Sequence, residues 1–224
     1  MEIEHIYHLF FFNIMEGCVK PMKILVNFGV LLIFVLWLNY EIRKNNRLSK
    51  KGSELFWGRE NQANLTRNTE ISDLEFITIP LERLPMSDHT DATINSYRDT
   101  ILNLSSKKIV NLTGLTNTEL KLKYGAANIN LLSEYDNNYI VLVSILQKWG
   151  ERLYHNGNSE EAVAVLEFGV MCLTDVRKTY LLLAGIYVEQ HTPEKIDPLL
   201  EILPFTRIVR KDSLAEALVK LKNT

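Results

Sequence analysis

From Ile24 to Tyr40 the chain reads ILVNFGVLLIFVLWLNY, 17 residues without a charged side chain. As a helix this run is about 25 Å long at ~1.5 Å per residue, slightly less than a hydrocarbon core of ~30 Å. Lys23 and Arg43 flank it and can snorkel to cover the shortfall. Trp37 and Tyr40 fall where an aromatic belt meets the headgroups. No A-x-A-like small-residue site follows; the chain continues NYEIRKNNRLSKK, so a cleaved signal peptide is disfavoured. The pattern predicts an uncleaved, single-pass transmembrane helix over residues 22–41.

Charge sets the expected direction. Arg43, Lys44, Arg47, Lys50 and Lys51 follow the span, whereas only Lys20 and Lys23 precede it. The positive-inside rule then puts residues 41–224 in the cytoplasm, with the chain in the cell membrane. Met22-Lys23-Ile24 is a normal start for such an anchor, so residues 1–21 are expected to be an extension that insertion does not need. Seven basic and four acidic side chains in residues 1–51 leave 18 basic and 23 acidic in residues 52–224. A body at −5 is a poor surface for nucleic acid, which is excluded as a partner. Cys18 and Cys172 lack C-x-x-C spacing, and a disulfide between them would need an oxidising compartment.

Residues 42–115 read as a basic juxtamembrane segment and a short mixed α/β connector. Leu55, Phe56 and Trp57 either rest on the bilayer surface or begin the body. LEFITIPLERLP (74–85) and KKIVNLTG (107–114) look extended, and the first is closed by prolines. Between them Ile94, Tyr97, Ile101 and Leu104 recur at helical spacing behind Thr90 and Asp91, a fitting N-cap.

From residue 116 the chain reads as a helical domain, 116–224. Thr116-x-x-Glu119 is a capping box, followed by Leu120, Tyr124, Ala127 and Leu131 on one face of a helix over 117–134. Leu142, Leu146, Trp149 and Leu153 mark the next helix. After an elbow at Gly157, Asn158 with Glu161 is expected to cap a third, striped by Ala162, Val165, Leu166 and Gly169. Small residues at Gly150, Ala162 and Gly169 suit helix axes that approach closely.

A shift of 34 positions carries Leu146 onto Tyr180, Trp149 onto Leu183, Gly150 onto Ala184, Leu153 onto Tyr187 and Leu166 onto Leu200. A second shift reaches Leu214, Ala217, Leu218 and Leu221. This period resembles the tetratricopeptide repeat, W-x2-L-G-x2-Y…A-x3-F…P, over about residues 140–222. The match is degenerate: Thr174 stands at the closing Pro, and Pro198 falls inside the second helix of the second repeat, where it shortens or kinks the helix unless Asp197 caps a late start. Helices 117–134 and 213–222 would then act as caps. The fold class expected is mainly α: an N-terminal transmembrane helix, the mixed connector, and antiparallel helix–turn–helix repeats.

The five His (His5, His8, His89, His155, His191) form no metal spacing, and no nucleotide loop or nucleophile elbow is present. No enzyme, metal or cofactor is expected. The resemblance implies a groove for a protein or peptide partner, lined by Ser144, Gln147, Glu151 and Tyr154 from one repeat and Lys178, Leu181, Gly185 and Val188 from the next. The Lys/Asn/Arg set with which some such domains clamp a C-terminal carboxylate is not visible. The expected function is a bacterial, membrane-anchored cytoplasmic scaffold or adaptor. The competing class is an extracytoplasmic envelope-assembly factor of reversed topology.

Overall fold

The computed structural model describes residues 2–71 and 73–223, and their side chains from residue 30 onward except Leu48. It divides into two compact units, residues 1–61 and 62–224. α1 (Glu2–Asn64) is one unbroken helix of 63 residues. From Val30 to Tyr40 every residue on it is exposed, Ile33 at 68% and Tyr40 at 65%. No helix among the described residues is long and apolar enough to cross a membrane. The expected span, however, includes residues 24–29, whose side chains lie outside those described, as do Cys18, His5 and His8.

The second unit is built from helices alone among the described residues: α2 (Ala92–Ser105), α3 (Asn117–Tyr124), α4 (Ile129–His155), α5 (Ser159–Met171), α6 (Arg177–Glu189), α7 (Ile196–Ile202) and α8 (Lys211–Lys222). α2 and α5 pack on α4, α6 on α5, and α8 on α6. The mixed α/β connector is therefore corrected. The two extended segments share one backbone bond, Ile77 N–H to the Ile109 carbonyl at 2.9 Å, and form no ladder. Helix α4 takes up the groups a partner strand would need. Asn138 donates to the Lys108 carbonyl (3.0 Å), Val110 N–H to the Tyr135 carbonyl (3.4 Å), and Leu112 N–H to the Asp136 carboxylate (3.2 Å). Pro80 and Pro85 lack donors, and residues 81–83 close into a 3-10 turn. The body thus begins near residue 62, well before residue 116.

Asp91 caps α2 as its position suggests, accepting from Thr93 N–H at 2.8 Å. Its other oxygen accepts from Arg152 Nε (2.6 Å) and Asn156 Nδ2 (2.9 Å), tying the start of α2 to the end of α4. The Asn156 amide, then Arg152 and the Thr93 amide, hold this carboxyl far below the ordinary 3.8. A carboxylate with a depressed folded pKa contributes stability above its unfolded pKa and loses it as pH falls through the folded one. Asp91→Asn is accordingly expected to destabilise the fold at neutral pH. The gap to the native chain should close as pH drops below about 4 in urea titrations at stepped pH. A gap independent of pH would mean that the charge contributes nothing.

The capping box forms: Glu119 accepts from Thr116 N–H at 2.8 Å, and Thr116 Oγ1 accepts from Glu119 N–H at 3.3 Å. The helix behind it is shorter than the 117–134 reading. Gly125, at φ +88°, ends α3 with Asn68 packed so close that a Cβ would lie 2.6 Å from its Cα. The chain restarts as α4, with Leu132 buried in place of Leu131. At the elbow, Asn158 does not cap through its side chain; its amide meets Glu161 at 3.4 Å. Backbone bonds close α4 instead, from Asn158 N–H to the Leu153 carbonyl and from Gly157 N–H to the Tyr154 carbonyl, with Gly157 at φ +82°. Thirty-four residues on, Thr192 N–H to Tyr187 and His191 N–H to Val188 close α6 the same way, with His191 at φ +57°. The positions related by the shift are buried in one core: Leu146, Trp149, Leu153, Tyr180, Leu183, Ala184 and Tyr187. Pro198 sits in the first turn of α7, which is only seven residues long; Asp197 lies inside α7, not at its cap, and pairs with Lys222 at 2.6 Å.

Candidate partner-binding groove

Helices α4 and α6 both contribute to this site, and helical spacing gives each one outward strip. On α4, Gln147 donates to Glu151 at 2.8 Å, and Lys178 from α6 meets the same carboxylate at 3.1 Å. One turn farther, Tyr154 O–H donates to Glu189 at 2.7 Å. Two polar bridges therefore fasten α4 to α6 along this face. The Gln147 amide and then Lys178 draw the Glu151 carboxyl below its usual range, and the Glu189 carboxylate raises the Tyr154 phenol.

The eight expected groove residues do not have equal access. Lys178 is exposed; Glu151, Tyr154, Leu181, Gly185 and Val188 are half-buried, with the two aliphatics and Tyr154 packed on the main core. Gln147 is 9% exposed, a support beneath Glu151 and not an open contact. Ser144 lies apart from the bridges, on a cleft of about 400 Å³ with Asp136, Ile140, Asp175 and the 112–115 loop. Gly185 leaves a notch: a Cβ built there meets nothing within 4 Å. Sequence spacing did not find Glu189, which pairs across helices whose separation the sequence does not state, or Asp175, which lines the Ser144 cleft from the loop before α6.

A second cleft, of about 620 Å³, was also missed. Its walls include Phe76, Leu115, Met171, Phe205 and Arg207, and Met171 and Phe205 are exposed at 64% and 73%. These two lie 34 residues apart, so the same shift, applied to exposed instead of buried residues, could have found them.

Groups with chemical potential elsewhere have structural employment. Burial pushes the free Cys172 thiol up to about 12. Tyr139 O–H, buried, donates toward the Cys172 and Leu173 carbonyls at 3.2 Å and accepts from Asn111. His89 Nδ1 accepts from Asp91 N–H, and His155 Nδ1 meets the Glu151 carbonyl at the end of α4. Among the described residues no group of three or more His, Cys, Asp or Glu is arranged to hold a metal ion. No protein-family model matches the chain, and neither a curated protein nor a solved structure matches it.

Proposed function

We propose that the chain is a membrane-anchored scaffold whose tetratricopeptide-like body binds a segment of a protein partner along the α4–α6 face. The observation that carries the binding site is the notch at Gly185. Glycine inside a helix costs about 0.5–1 kcal/mol relative to alanine, and here no neighbour in the fold requires its smallness. A partner that must approach the helix backbone does require it. Gly185→Ala is expected to raise the unfolding free energy by about 0.5–1 kcal/mol. Gly185→Trp should keep the fold and fill the notch. Proteins recovered on the native chain in detergent should then be lost from Gly185→Trp at an unchanged thermal midpoint. Equal recovery on both would move the site elsewhere.

The anchor reading rests on the uncharged run 24–40 and on the exposed apolar surface of its described part, Val30 to Tyr40. In water, such a surface all round a helix invites either lipid or association. The five cations beyond it favour a cytoplasmic body. A green-fluorescent fusion after Thr224 should therefore glow, and an alkaline-phosphatase fusion there should be inactive. Active phosphatase would reverse the topology and give the body to the envelope-assembly class.

A further inference from the structure

The cations that follow the apolar stretch are not spread round α1. At about 100° per residue, Arg43, Lys44, Arg47, Lys50 and Lys51 fall within one arc of about 120°. Uncharged residues, Asn45, Asn46 and Ser49 among them, occupy the remaining circumference, and residues 42–53 contain no carboxylate. All five cations are exposed. Lys44 meets Glu41 at 3.4 Å, and the next acid, Glu54, lies one turn beyond Lys51 on the arc's own side, so five cations there face one carboxylate. A topology signal depends on the number of cations near the span, not on the side they face. The one-sidedness therefore calls for a second reason.

Geometry supplies one. Because α1 continues without a break, Arg43 stands about 4.5 Å and Lys51 about 16 Å beyond Tyr40 along the axis. Held upright, the far end of the arc would lie beyond a Debye length of about 8 Å at physiological ionic strength. A helix that leans toward the arc brings all five cations toward the headgroups; of a ring of cations, leaning brings only the near side closer. Leu55 and Trp57, 67% and 58% exposed, flank the arc, each about 80° from its centre, while Phe56, 56% exposed, faces the opposite side. Exposed Trp beside a cationic arc suits a headgroup boundary.

We infer that the arc formed by Arg43, Lys44, Arg47, Lys50 and Lys51 binds the phosphodiester groups of anionic lipids, so that the chain selects such lipids around its anchor. This rests on the anchor reading above. The test reconstitutes the full chain into phosphatidylcholine vesicles, with or without phosphatidylglycerol. Flotation reports anchoring. The fraction of spin-labelled phosphatidylglycerol or phosphatidylcholine immobilised by the protein reports selection. The native chain should float with both vesicles and prefer phosphatidylglycerol about fivefold, the effect of one engaged basic side chain near an anionic surface. The preference should fall with salt. A scattered variant, Asn46→Arg and Arg47→Asn with Ser49→Lys and Lys50→Ser, keeps every charge but spreads them round the helix. It should float equally well and lose most of the preference. Equal preference in both chains would show that charge number suffices and would overturn the proposal. Flotation without preference would also overturn it, leaving the arc to an acidic protein face. Failure to float with either vesicle would overturn the anchor reading, and this inference with it.

Discussion

Trp149→Ala should lower the unfolding free energy by about 3 kcal/mol, the lower end of the ~3–5 kcal/mol typical of emptying a large aromatic site. Trp149 is fully buried on α4, within the main core. The lower end is expected because its indole N–H has no hydrogen-bond partner. A buried unpaired donor already costs the native state about 1–3 kcal/mol, and truncation removes that cost with the ring. Against a total domain stability of ~5–15 kcal/mol, the loss should be plain in urea unfolding followed by circular dichroism. A change under about 1 kcal/mol would mean that the ring is not enclosed by this core.

The second expected result separates two glycines that the sequence treats alike. In Gly150→Ala the new Cβ would lie 2.5 Å from Leu166 Cγ and 2.6 Å from its Cδ2, and Leu166 is itself fully buried. Overpacking of this kind costs about 1–3 kcal/mol, and the better helix propensity of alanine returns at most about 1. In Gly169→Ala the nearest atoms are Thr179 Cγ2 at 3.5 Å and Leu146 Cβ at 3.8 Å, ordinary contact distances. That variant should be as stable as the native chain, or more stable by up to about 1 kcal/mol. Thermal midpoints that move in the same direction for both would refute the close approach of α4 to α5 at Gly150.

Gly150 and Gly169 also mark how far the chain could be read unaided. Helical stripes and the 34-residue shift identified the buried positions of α4, α5 and α6, because a helix that buries one face must repeat its apolar residues every third or fourth place. The Thr116–Glu119 box and the Asp91 cap were legible because each is a local bond between near neighbours in sequence. Contacts between distant segments were not. Nothing in KKIVNLTG says that its donors will go to a helix and not to a strand, since that depends on where Asp136 and Asn138 stand. The break at Gly125 was hidden because the apolar spacing continues across it, and the Asn68 backbone that packs on that glycine lies far upstream. In the groove, register placed the residues on α4 and α6 but could not reveal that Gln147 is a buried support, since burial depends on how Lys178 and Glu151 close over it.

Helix α4 serves two clusters with a single stripe. Leu132 and Tyr135 belong to the smaller one, with Val110, Leu112, Leu120 and Tyr124; Tyr139, Leu142, Leu146, Trp149 and Leu153 belong to the larger. The rotational phase between the clusters is thus written into the residue count of one helix. An insertion or deletion of one residue between Tyr135 and Tyr139 would swing one cluster about 100° against the other, and no turn lies between them to absorb it. Changes of length in such a chain belong to its loops, and the spacing along α4 is free to vary in sequence but not in number.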